Sequence, residues 1–396
     1  MSKNKFLLII TGVISLAFYS CSHNPTPIGA QLVGSDLVNL QTIDSYADSL
    51  RQTSSYFKSS VNLSSSSYLF LGKKNNAQAS ALIKFYVSLP DSINQDLIAN
   101  NAHVIASIIS LPTGYTYGDS NASLDFNVYK ITNAWTSTSY TADNISSLIF
   151  VPTDVSSNRL VTDSLTTFNI SNSLSTSWLI AAADSVDSTI YGIYLVPTSG
   201  SQKILGYTTS SSTTTTSIRL QLVIQKPGSY TDTTTFYPLQ DASVITGSLP
   251  PVNHEDIVVQ AGVEINSKLW FDISKIPANA VVNYADLTLT ADSSAQLFGS
   301  TFYNSLLASN LVDSASALPD SSSTSLYNIM LSLSGNQYVG NVTPIVQKWL
   351  SSKNNQGLLL EADGNLLGLE LFALKGSSAS NLQLRPRLRI TYTTRK

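Results

Sequence analysis

The sequence predicts an all-β protein made of two tandem antiparallel β-sandwiches with one short helix each, and three observations carry that prediction. The first is composition: of 396 residues, 43% are hydrophobic and only 12% charged, against about 25% charged in an average globular protein. Ser and Thr supply the missing polarity. Thr, Val, Ile and Tyr suit a pleated, half-buried surface, while Ser, Asn, Asp and Gly populate turns. The second is the stretch 268–289, KLWFDISKIPANAVVNYADLTL, in which Leu269, Phe271 and Ile273 alternate with Trp270, Asp272 and Ser274. That is the period of a strand with two distinct faces. Pro277 ends it, and Val282, Tyr284, Leu287 and Leu289 begin another apolar run. The third is repetition: residues 81–110 hold a related passage, ALIKFYVSLPDSI, a polar spacer, then AHVIASIIS. Two copies of one β-domain fit the chain length, since domains mostly run roughly 100–200 residues.

The first twenty residues read as a signal peptide. Lys3 and Lys5 precede an apolar run over 6–19, shorter than the roughly 20 helical residues that a bilayer core requires. Cys21, the one cysteine of the chain, follows directly behind Ser20. This resembles a bacterial lipoprotein signal, in which such a cysteine becomes the lipidated first residue, although Phe18 and Tyr19 depart from the usual Leu and small residues. The resemblance implies a lipid-anchored protein of the cell envelope, in the outer membrane of a Gram-negative bacterium, touching the membrane through its anchor alone. Residues 21–39, with Pro25, Pro27, Gly29 and Gly34, have the composition of a flexible tether. With a single cysteine no intramolecular disulfide forms, so hydrophobic cores must hold the domains. Removing residues 1–20 deletes two lysines and no acid, taking the formal charge from −3 to −5. Nucleic acid is not an expected partner, because its binders concentrate basic residues on one face; Arg385, Arg387 and Arg389 merely alternate along one strand.

A first domain is expected over 40–225. Its strands fall near 40–51, 68–72, 81–87 and 103–110, followed by the turn-rich loop PTGYTYGDSN over 112–121 and a strand through Leu124, Phe126 and Val128. Residues 136–167 read as loops with one short strand, 173–183 as a helix bearing Trp178, and 190–196, 204–208 and 218–225 as closing strands. The segment 226–233, KPGSYTDT, reads as a linker to a second domain over 234–396. There, after the stretch 268–289, a short helix is expected within 339–350, with Val342, Ile345, Val346 and Trp349 at helical spacing. Strands follow at 357–361, 366–374 and 384–393. Both halves thus end on a Trp-Leu pair, a Gly-led apolar strand, a Ser-rich turn and an alternating last strand.

The second half, through LWFDISKIPANAVVNYADLTL, VTPIVQKWL, GLLLEA and RPRLRITYT, resembles the DNRLRE-type β-sandwich domain, also classed as a carbohydrate-binding module. The first half resembles it more loosely: Phe85 and Pro90 stand where Phe271 and Pro277 do, but no Arg-Pro pair precedes Ile218. The resemblance implies a jelly-roll sandwich and glycan binding at the cell envelope.

No motif points to catalysis. A nucleophilic triad needs a base beside its nucleophile, and His23, His103 and His254 have no Ser or Cys motif around them. Zinc-type metal sites want closely spaced His and Cys, and no pair of carboxylates is singled out for glycoside hydrolysis. No cofactor is expected. β-Sandwich glycan-binding modules often carry a structural calcium ion held by loop carboxylates; the candidates are Asp119 with Asp125, and Asp241 with Glu255 and Asp256, which otherwise read as turn and cap acids. For ligand binding, sugar rings stack on aromatic side chains with polar groups around them. Trp135, Trp178, Trp270 and Trp349 sit at repeat positions that mark core, so Tyr115 and Tyr117 in their Gly-flanked loop are the better candidates, with Tyr303 in the second half. The reading is a non-catalytic envelope lipoprotein that binds polysaccharide or another extracellular polymer. The alternative is a structural or adhesin-like surface protein that contacts protein partners.

Overall fold

The computed structural model describes residues 38–183, 190–209, 217–300, 303–320 and 327–395. The expected signal peptide, Cys21 and nearly all of the expected tether lie outside the described residues. The chain is all-β, in two twelve-stranded antiparallel sheets. Each sheet folds over so that opposite stretches face one another across a core: Leu287 and Leu388 meet Leu360 and Phe372 in the second sandwich, and Ile109 and Leu220 meet Ile83 and Leu195 in the first. Alternation sets the faces. In the strand Ile265–Phe271, Leu269 and Phe271 are buried while Lys268 and Trp270 remain half-exposed.

The two expected helices are Asn172–Ala183 and Thr343–Ser352, and they bury Trp178 and Trp349. The second starts with Pro344 in its first turn, where a missing N–H costs nothing. The first half has another helix, Asp91–Ile98, where a polar spacer was expected; its core-facing side is only the pair Ile93 and Leu97, too short a pattern to announce it.

The two sandwiches repeat one pattern of pairing around two strands each. Ala77–Phe85 pairs on one edge with Tyr68–Lys74 and Ile193–Pro197, and Arg219–Lys226 pairs with His103–Tyr117. In the second sandwich Ile265–Phe271 pairs likewise with Asp256–Gln260 and Leu358–Ala362, and Arg387–Arg395 with Val281–Thr290. In each case the opposite edges of the two named strands are filled by one further pair of strands. Tyr230–Phe236 and Pro238–Gly247 fill them in the first sandwich. Val38–Asp44 and Gln52–Lys58 fill them in the second.

This corrects the expected boundaries. The segment at 40–51, expected to open the first domain, belongs to the second sandwich, as does the following strand to Lys58; residues 234–247 belong to the first. The segment 226–233 is no linker, since Tyr230 begins a strand that forms a hairpin with Arg219–Lys226. The tether, too, ends before Asn39, which lies in the strand Val38–Asp44. Alternation marks a strand and its buried face, but the backbone groups on its edges are the same for every residue. Which strand it joins is therefore decided by three-dimensional fit.

A third cluster lies between the sandwiches and draws on both. Phe70, Ala79, Tyr115 and Tyr117 from the first pack with Val258, Val263 and Leu371 from the second. The chain crosses twice between halves that have a common core.

Candidate functional site

Tyr115 and Tyr117, expected on an exposed loop, are fully buried in that shared core, at the end of the long strand His103–Tyr117. The Tyr115 hydroxyl accepts from the Leu369 N–H at 2.9 Å and donates to Glu370 Oε1 at 3.1 Å. Its ring meets Phe70 edge-on, with centroids 5.6 Å apart. The Tyr117 hydroxyl accepts from Gln260 Nε2 at 3.3 Å. Burial pushes both phenols far above their ordinary range, and it also raises the carboxyl of Glu370. The flanking glycines misled. A Cβ on Gly114 would come within 2.7 Å of the Tyr68 ring, so that glycine marks a close approach of packed side chains and not an open turn. Tyr303 is half-buried, with its ring over Gly364.

Most of the candidate acids already have polar partners of their own. Asp119 Oδ1 accepts from the Asn121 N–H, Asp125 Oδ2 from the Thr198 hydroxyl, and Glu255 Oε1 from the Ser380 N–H. Asp256 is held by Lys375, whose ammonium bridges it to Asp292 at 2.7 Å on each side. Asp241 lies in the strand Pro238–Gly247, where burial alone pushes its carboxyl up to about 6, away from the charged form a cation would want. Among the described residues no group of three or more His, Cys, Asp or Glu is placed to hold a metal. His103 and His254 are both exposed.

Three of the four tryptophans, Trp135, Trp178 and Trp349, are buried as expected; Trp270 is not. It stands between two adjoining grooves on the outer face of the second sandwich. One, of about 450 Å³, is lined by Thr53, Ser55, Lys268, Ser314, Asn355 and Gln356. The other, of about 470 Å³, runs past Asp272, Ile276, Pro277 and Lys353. Trp270 and Asn355 border both. The walls are interlocked: Trp270 Nε1 donates to the Asn355 carbonyl at 3.2 Å, Lys268 Nζ to the Ser314 carbonyl at 3.0 Å, and the Ser314 hydroxyl to Gln356 Oε1 at 2.8 Å. The Arg51 guanidinium lies 5.3 Å from the centre of the indole. Thr53 and Ser55 are exposed beside it. Apolar ring surface, hydroxyls and amides are thus held in fixed places, the mixture that recognises a polar ligand with apolar faces.

Trp270 was readable, since it falls on the outward phase of its strand. Thr53 and Ser55 carried no signal, because they reach the groove only through the pairing of Thr53 with Trp270 and Ser55 with Lys268. A larger cavity, about 740 Å³, lies at the junction of the sandwiches between Lys74, Asn76, Pro250, Gln296 and Leu371. Among the described residues its lining holds no aromatic side chain, so the Trp270 grooves are the stronger candidate.

No protein-family model matches the chain, and no curated protein matches it. Among solved structures, the chain is similar to one described as BspA_C_WT, at 11% identity and a TM-score of 0.17 over 82% of this chain and 87% of that one. It is similar also to the C-terminal domain of the Streptococcus agalactiae AgI/II polypeptide BspA, at 9% identity and a TM-score of 0.18 over 87% of this chain and 92% of that one. Likenesses this remote carry no argument about fold or function.

Proposed function

We propose that this chain is a non-catalytic, lipid-anchored envelope protein that binds a polysaccharide or another extracellular polymer in the grooves flanking Trp270. The observation that carries the reading is the half-exposed indole between two joined grooves, one polar-walled and one mainly apolar, with its neighbours fixed by hydrogen bonds before any ligand arrives. Preorganisation of this kind lowers the ordering cost of binding. The resemblance of the second half to DNRLRE-type domains and of the first residues to a lipoprotein signal support the same reading. So does the mildly acidic, uncatalytic character of the sequence.

Retention of the full detergent-solubilised chain on a panel of immobilised polysaccharides tests it. Stacking of a ligand ring on one aromatic side chain is worth about 1–3 kcal/mol for planar bases; taking the low end of that range for the C–H face of a puckered sugar, Trp270→Ala should weaken retention on the preferred polymer about fivefold, while Tyr115→Phe leaves it unchanged. Retention that survives Trp270→Ala would remove the site from the proposal. Absence of retention on every polymer by a folded chain would turn the search to protein partners.

A further inference from the structure

The strand pair that completes the second sandwich comes from the far end of the chain. Val38–Asp44 runs along Arg387–Arg395 and Gln52–Lys58 along Ile265–Phe271, in unbroken register of seven residues each. The pair buries Ile43 and Leu50 in the second core, and Asp44 accepts from Arg387 Nε at 3.1 Å. The Tyr46 hydroxyl lies 2.6 Å from the Arg385 carbonyl oxygen, to which it donates, and Lys275 Nζ donates to the Asp48 carbonyl at 3.2 Å. All these partners lie in the second sandwich, yet the pair leads through residues 59–67 into the first. The equivalent edges of the first sandwich are closed by Tyr230–Phe236 and Pro238–Gly247, which follow it directly in the chain. The second sandwich alone depends on a donated, chain-terminal segment.

We propose that a second copy of this chain serves as donor, giving a reciprocally exchanged dimer in which each second sandwich is completed by the partner's N-terminal strand pair. Every register, buried side chain and ion pair just named forms identically within one chain or between two, so exchange keeps them all and re-routes only residues 59–67, where the buried Leu63 and the Ser59 N–H bond to the Glu264 carbonyl must be re-formed. The connection through residues 59–67 favours the closed monomer by raising the local concentration of its own pair, so the dimer grows with protein concentration. The consequence for the groove is specific. Arg51, Thr53 and Ser55 would come from one copy and Trp270, Lys268 and Ser314 from the other. The inference is independent of what the groove binds.

Thr42 and Thr391 face each other in the register, with hydroxyl oxygens 3.1 Å apart. In a Cys21→Ser background, one population of full chain carries Thr42→Cys and another Thr391→Cys. The two are mixed unfolded, refolded over a range of concentrations and oxidised. Exchange predicts a covalent heterodimer on a non-reducing gel, at least tenfold more abundant than dimers of either variant alone and rising with concentration. A single chain carrying both substitutions should close an internal disulfide, which shows that the variants fold and the sites pair. If that internal bond forms while the mixture yields no more dimer than the single variants, the exchange does not occur.

Discussion

Tyr115→Phe tests whether the two sandwiches behave as one body. The substitution keeps the ring, its edge-on contact with Phe70 and its burial, and deletes only the hydroxyl. That oxygen accepts from Leu369 N–H at 2.9 Å and donates to Glu370 Oε1 at 3.1 Å. Glu370 Oε2 has no partner in the described structure, while the backbone N–H groups of Glu370, Gly299 and Leu369 lie close enough to the carboxyl to lower its pKa and can take over part of the lost bonding. A buried polar group left unsatisfied costs about 1–3 kcal/mol, and with the carboxyl still served by backbone N–H groups the expected loss is about 1–3 kcal/mol of unfolding free energy. Since the second sandwich is completed by strands that lead directly into the first and the tyrosine sits in their common core, that loss should fall on both. Urea unfolding followed by hydrogen exchange of peptides from Arg219–Lys226 and Arg387–Arg395 measures each half separately. Equal shifts are expected. A shift confined to the second half, or one below about 0.5 kcal/mol, would refute the coupling and the accounting behind it.

Two further outcomes follow from buried charges. The Asp241 carboxyl is pushed from 3.8 to about 6 by burial. A raised carboxyl pKa means stability that is fully present below the unfolded value and lost as pH climbs through the folded one. At pH 8 ionised Asp241 therefore costs about 2–3 kcal/mol, and Asp241→Asn should recover that amount at pH 8 and almost none near pH 4; an equal effect at both pH values in urea titrations would contradict the assignment. Lys375 is the partner of Asp256, whose side chain is 1% exposed. Lys375→Met should cost about 3–5 kcal/mol by stranding a buried carboxylate, with much of it regained on adding Asp256→Asn, and a double-mutant cycle without coupling would show that the pair is not the cause.

Trp270 and Tyr115 show where the sequence stopped being legible. Both were aromatic residues in strand-like surroundings. The outward phase of Trp270 could be read from Leu269 and Phe271, yet its place in the repeat suggested core. The glycines beside Tyr115 suggested an exposed turn, when Gly114 makes room for the Tyr68 ring and Gly118 lies against the Lys74 side chain. Neither the covered face of the first sandwich nor the uncovered face of the second has a local signature.

By itself the sequence determined the all-β class, most strand positions, the Trp-bearing helices Asn172–Ala183 and Thr343–Ser352, and the inward faces, because each depends on the spacing of side chains along a short stretch. The tertiary structure alone decided that Val38–Asp44 and Gln52–Lys58 complete the second sandwich, that Tyr115 and Tyr117 are buried, and that Thr53 and Ser55 stand beside Trp270. Strand edges present identical backbone donors and acceptors whatever their side chains. The choice among partners more than 200 residues apart thus rests on the summed fit of whole faces, which no local pattern records.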